Sequence, residues 1–142
     1  MAACSLYTLE PWPAQAQTLP TGMTIAVGQA QVSTQINSMT VKNSPNAILN
    51  WSSFSIGAQN TVRFDQVDAA SKVLNRVTGS DPSQIFGQLS SNGQVWLLNP
   101  NGVLFGAGAR VDVAGLVTST LALQDKDWLA GRYSFTAAAA PA

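Results

Sequence analysis

Residues 87–115 read GQLSSNGQVWLLNPNGVLFGAGARVDVAG, and their spacing decides the fold class. Apolar residues alternate in pairs, Val95/Leu97, Val103/Phe105 and Val111/Val113, and neighbouring pairs begin eight residues apart. Two apolar residues separated by one polar residue mark one face of an extended strand, and such a step leaves room for a short strand plus a tight turn. Asn92-Gly93 and Asn101-Gly102 mark two of the turns. Both are expected to require positive φ, which Asn and Gly reach at low cost. Between two apolar strands stands Asn99-Pro100-Asn101-Gly102, a sequence suited to a rigid corner. Pro100 fixes φ, Asn99 and Asn101 bond neighbouring backbone, and Gly102 accepts a positive φ.

The same step extends upstream through Phe54/Ile56 and Val62/Phe64. Downstream, one phase runs from Val111 through Val113, Gly115, Val117, Ser119, Leu121 and Leu123, as in a half-buried strand with small-residue corners. Helical periodicity is scarce; only residues 65–74 are ambiguous, with room for a short helical turn. Two all-β architectures fit this spacing: a sandwich or barrel, and a parallel β-helix whose coils hold three strand-and-turn steps. Composition favours the coil stack. Charged residues are only 10% of the 142, while Ser, Thr, Asn and Gln together number 45. In a coil stack like residues lie above one another, where charges repel and amides can ladder.

That composition also removes several functions. Seven Lys+Arg balance seven Asp+Glu, so the chain has no net charge to draw it to nucleic acid or anionic membranes. It contains no histidine, which removes the usual general base, the histidine-activated nucleophiles and the commonest metal ligand. Neither catalysis nor a cofactor is expected, and the folded part is expected to be a monomer. Residues 1–17, MAACSLYTLEPWPAQAQ, contain no Lys or Arg and end in a small-residue pattern at Ala14-Gln15-Ala16. They read as part of a signal peptide, with cleavage after Ala16 and Cys4 removed or inert. The folded domain is expected over residues 18–135, followed by a low-complexity tail or truncation point at 136–142, TAAAAPA from Thr136.

The stretch with the central Asn-Pro-Asn-Gly resembles the N-terminal secretion domain of filamentous-haemagglutinin-type exoproteins, the exported partners of two-partner secretion systems. Further matching segments run along the chain: LPTG from Leu19, SPNAILNWSSFSIG from Ser44, VRFDQ from Val62 and VLNRVTGSDPSQIFG from Val73. Asn43-Ser44-Pro45-Asn46 stands where some family members have a second Asn-Pro-Asn element, with Ser before the Pro here. The resemblance implies a right-handed parallel β-helix with an N-terminal cap. It also implies a route through the periplasm and outer membrane of a Gram-negative bacterium to the medium or cell surface. The implied partner is a dedicated outer-membrane β-barrel transporter, which the domain addresses through its periplasmic parts. A passenger of the adhesin, haemolysin or toxin kind follows in the family, and host glycans or cell surfaces would be its contacts.

Asn99, Pro100, Asn101 and Gly102 are therefore the first candidate recognition or structural motif, and Asn43, Ser44, Pro45 and Asn46 the second. A role in export competes with a simpler one, a turn that keeps two strands in register. A second function class also stays open, a carbohydrate-binding β module acting directly as a lectin or haemagglutinin. Other signals are weaker. Asp65/Asp68 and Asp125/Asp127 are the only near pairs of carboxylates that a glycan-active enzyme would need, and they read as solvated surface. Trp51 and Trp96 read as strand residues, whereas Trp128, near Asp127 and Arg132, reads as a candidate for exposure.

Overall fold

Short runs of alternating apolar residues cannot bury a core alone, but stacked coils place like positions over one another and bury them together. The computed structural model describes residues 18–132; the expected signal segment with Cys4 and the tail at 136–142 lie outside the described residues. Twelve strands follow in order: β1 (Thr24–Val27), β2 (Ala30–Gln35), β3 (Ser38–Asn43), β4 (Ala47–Trp51), β5 (Thr61–Asp65) and β6 (Lys72–Val77), then β7 (Ser83–Ile85), β8 (Gln88–Ser91), β9 (Gln94–Leu98), β10 (Val103–Phe105), β11 (Arg110–Asp112) and β12 (Gly115–Ser119). A short helix, α1 (Asp125–Leu129), closes the described chain.

Strands β3, β5, β8 and β11 stack in parallel on one face, and β4, β6, β9 and β12 on a second. The third face holds β7 and β10, extended by a parallel bridge between Ile56 and Ile85. The result is a right-handed parallel β-helix of about four turns. Ser38 pairs with Thr61, Thr61 with Gln88 and Gln88 with Arg110, so successive coils advance by 23, 27 and 22 residues. At the start of the stack, β2 pairs antiparallel with β3 and β1 antiparallel with β4. These two strands cover edges that would otherwise be open for pairing.

Inside the coils, Met39, Val62 and Leu89 form one column and Ala47, Val73 and Val95 another, all buried. Trp51 meets Phe54 edge-on at 5.4 Å, and Phe54 stacks on Phe64 at 6.2 Å. Asn75 is the polar exception: its Oδ1 accepts from Trp51 Nε1 at 2.9 Å, and its Nδ2 donates to the Trp96 carbonyl at 3.2 Å. Full burial of each large apolar side chain contributes about 1.5–3 kcal/mol. A second apolar cluster lies outside the coils, on the outer face of β4, β6 and β9, where Ile48, Leu74, Trp96 and Leu98 are covered by Leu123 and Trp128.

Several expectations are corrected by this geometry. Residues 66–71 form no helical turn, since Asp68 instead accepts hydrogen bonds from the Ala70 amide and the Ser71 hydroxyl. The single phase from Val111 to Leu123 is not one strand: the chain turns a corner between β11 and β12, and Leu123 packs outside the coils. Positive φ occurs at Gly102 but not at Asn92-Gly93 or at Asn101. Gly93 is needed for space, because a Cβ there would stand 2.8 Å from both the Gln66 amide and the Ser71 carbonyl. Trp128 is 2% exposed, meeting Trp96 edge-on at 5.1 Å and donating from Nε1 to the Asn46 carbonyl at 3.0 Å. The carboxylates of α1 are paired, Asp125 with Arg76 at 2.7 Å and Asp127 with Arg132 at 3.3 Å.

Candidate functional site: two asparagine-proline corners

The two candidate motifs mark different corners of the triangle. Asn99-Pro100-Asn101-Gly102 joins β9 to β10 on the third coil, while Asn43-Ser44-Pro45-Asn46 joins β3 to β4 on the first. Both open on a buried asparagine at the end of a strand and expose the proline.

Asn99 is fully buried and spends both ends of its amide. Its Nδ2 donates to the Asp81 carbonyl and to Ser83 Oγ, each at 3.0 Å, which ties the third coil to the corresponding corner of the second. Its Oδ1 accepts from the Asn101 amide at 2.9 Å and from Asn101 Nδ2 at 3.0 Å. Asn101 Nδ2 also donates to the Gly79 carbonyl at 2.8 Å. The turn closes with Gly102 N donating to the Asn99 carbonyl at 3.0 Å, at a Gly102 φ of 111° that residues with a Cβ rarely adopt. What the motif shows to solvent is therefore Pro100 and Asn101, beside a small apolar pocket of about 100 Å³ that also includes Val77, Leu98 and Leu121.

The first-coil corner is held from outside. Asn43 Nδ2 donates to the Ser44 carbonyl at 3.0 Å and to Gln66 Oε1 at 3.4 Å. Ser44 N donates to the Gln29 carbonyl at 2.9 Å, and Ser44 Oγ accepts from Gln29 N at 3.0 Å, which fastens the corner to the capping hairpin. Asn46 supplies the left-handed residue, with φ 61°. Its N donates to the Lys72 carbonyl at 2.8 Å.

Reading the sequence alone missed the amides that continue this corner up the stack. Gln66 Nε2 donates to Ser91 Oγ at 3.1 Å and to the Gln94 carbonyl at 2.8 Å. Asn92 brackets the Gln66 backbone, its Oδ1 accepting from Gln66 N at 2.8 Å and its Nδ2 donating to Gln66 O at 2.7 Å. The available signal was phase: Val41 leads to Asn43, Phe64 to Gln66 and Leu89 to Ser91, each two residues on along the inward face. No group of three His, Cys, Asp or Glu that could hold a metal occurs among the described residues.

The TPS secretion domain family matches residues 14–140, nearly the whole chain and every coil described above. This chain is a two-partner secretion (TPS) domain. The crystal structure of the HMW1 secretion domain from Haemophilus influenzae superposes with a TM-score of 0.81 at 38% identity, covering 82% of this chain and 31% of that one. Two heme/hemopexin-binding proteins of Haemophilus influenzae are also similar. One is 47% identical over 112 residues and the other 41% over 104, covering 78% and 72% of this chain. The TPS domain described here spans only 12% and 11% of their lengths. TPS domains belong to secreted exoproteins of Gram-negative bacteria and imply a partner transporter of the two-partner type.

Proposed function

We propose that this domain is the part of its exoprotein that an outer-membrane β-barrel transporter recognises and exports, and that its coils then template the folding of the chain that follows. The observation behind the templating role is the difference between the two ends of the stack. The first coil is covered by antiparallel β1 and β2, whereas β10, β11 and β12 are the last strands of their sheets among the described residues. Leu104, Phe105, Val111 and Leu116 are exposed there. An unpaired strand edge with apolar side chains favours addition of further strands. A coil stack propagates from such an end by nearest-neighbour contacts.

The recognition role is supported by family membership and by the corner at Pro100 and Asn101, where buried Asn99 fixes the geometry of two exposed residues. The signal segment before the domain delivers the chain to the periplasm, and the domain acts there without catalysis. Binding of the kind named for the heme/hemopexin-binding relatives is assigned to the chain beyond this domain, since the sequence has no histidine, a common haem ligand. The test is export of an inert reporter fused behind the 142 residues. The reporter should reach the medium only in cells that also make the partner transporter, and retention in the periplasm of those cells overturns the proposal.

A further inference from the structure

A groove of about 620 Å³ runs between the β1–β2 connection and the first-coil corner, with Ile25, Gln29, Gln31, Lys42, Asn43 and Val67 in its walls. Asn43 is 4% exposed, and among the described residues no donor reaches its Oδ1. The amide cannot be turned round to cure this, because its Nδ2 already faces two acceptors, the Ser44 carbonyl and Gln66 Oε1. A buried acceptor left without a donor is costly and calls for a partner. The rest of the lining is unusual for a surface. Ile25 is 43% exposed and Val67 67% exposed, and Lys42 is the one charged residue in the walls, with no carboxylate among them. The groove therefore offers an acceptor in its wall, apolar flanks and a single positive charge, in a chain whose net charge is zero.

We infer that this groove takes an extended polypeptide segment of the partner transporter's periplasmic region, one with an acidic side chain, apolar neighbours and an N–H or amide donor for Asn43 Oδ1. The inference rests on the recognition role proposed above and moves its centre from the third-coil corner to the first. Complementary charge at the rim acts on encounter and register, and the apolar flanks and the donor supply the contact.

The test uses the 142-residue chain and the purified periplasmic region of its transporter, with affinity measured by titration and folding by the thermal midpoint. Lys42→Glu and Val67→Asp, both at exposed side chains, are expected to weaken binding about tenfold or more at an unchanged midpoint. If Val67→Asp lowers the midpoint, salt dependence decides: added salt must weaken wild-type binding, and Lys42→Ala must flatten that dependence. Groove variants that bind like wild type, while Asn101→Ala binds poorly, overturn the groove and leave recognition at the third-coil corner. Absence of any wild-type binding overturns the recognition role itself. Binding of a neutral glycan that is lost in the same variants also overturns the inference, because the occupant would then be a sugar.

Discussion

The two asparagine-proline corners have the same outline and are secured in opposite ways. Around Asn99 the bonds run within the tetrapeptide and to the adjacent corner of the coil below, so the turn is complete without help from elsewhere. Around Asn43 the bonds run out to Gln66 and, through Ser44, to the capping hairpin, and one amide oxygen remains without a donor. Similar sequence thus marks a finished corner in the middle of the stack and an unfinished one at its beginning. The unfinished corner sits where coil and cap must be joined.

The largest expected effect separates the two buried asparagines. Asn99→Ala removes four side-chain bonds and leaves Ser83 Oγ and the Asp81 carbonyl short of a donor, which should lower stability by about 2–4 kcal/mol. Asn43→Ala removes two bonds, one of them long, together with an oxygen that has no donor, and should cost only about 1 kcal/mol. Urea unfolding of both variants measures the gap, and equal losses would show that the corners are equivalent after all.

Next in size is Gly102→Ala. The nearest atom to the added Cβ would be Pro82 Cβ at 4.0 Å, so no clash contributes and the loss comes from φ alone. A decrease of about 1–3 kcal/mol in unfolding free energy is expected, with the amide bond from Gly102 to the Asn99 carbonyl still protected from hydrogen exchange. A loss of that protection would mean that the corner had rearranged.

The smallest effect is expected at Asn46→Gly. Asn already tolerates φ 61°, and the relief of strain in glycine is offset by the greater freedom of the unfolded chain. A change in thermal stability within about 0.5 kcal/mol should result. A large stabilisation would show the first corner to be strained rather than merely incomplete.

Most of the coil architecture was legible because the eight-residue step is imposed by packing. Every apolar pair from Phe54/Ile56 to Val111/Val113 lies on a coil, with Val62, Phe64, Val95 and Leu97 buried in the core. Phase alone could not show where one face ends. Val111 and Val117 share a phase yet belong to different faces, because the corner between them turns the chain without shifting the alternation. Trp128 was illegible for a different reason: its neighbours Asp127 and Arg132 pair with each other on the surface, and the indole finds Trp96 and Asn46 only through the tertiary fold. The corner motifs were visible as turns, but whether their asparagines were buried or exposed depends on the coil beneath them, which no local pattern records.

The hydrogen bond from Trp128 to Asn46 spans 82 positions of the chain. In a stack held only by adjacent repeats, stability is a sum of local terms, and either end can fray without reference to the other. Here the final helix rests on the first coil, so a loop of nearly the whole described chain closes only after every intermediate coil is in place. Such a closure carries a large entropic penalty in an unfolded chain and a small one once the coils have formed. A chain that emerges from its amino end therefore completes this contact last. Once made, it couples the first coil to the last, turning an array that would melt gradually into one that unfolds as a unit.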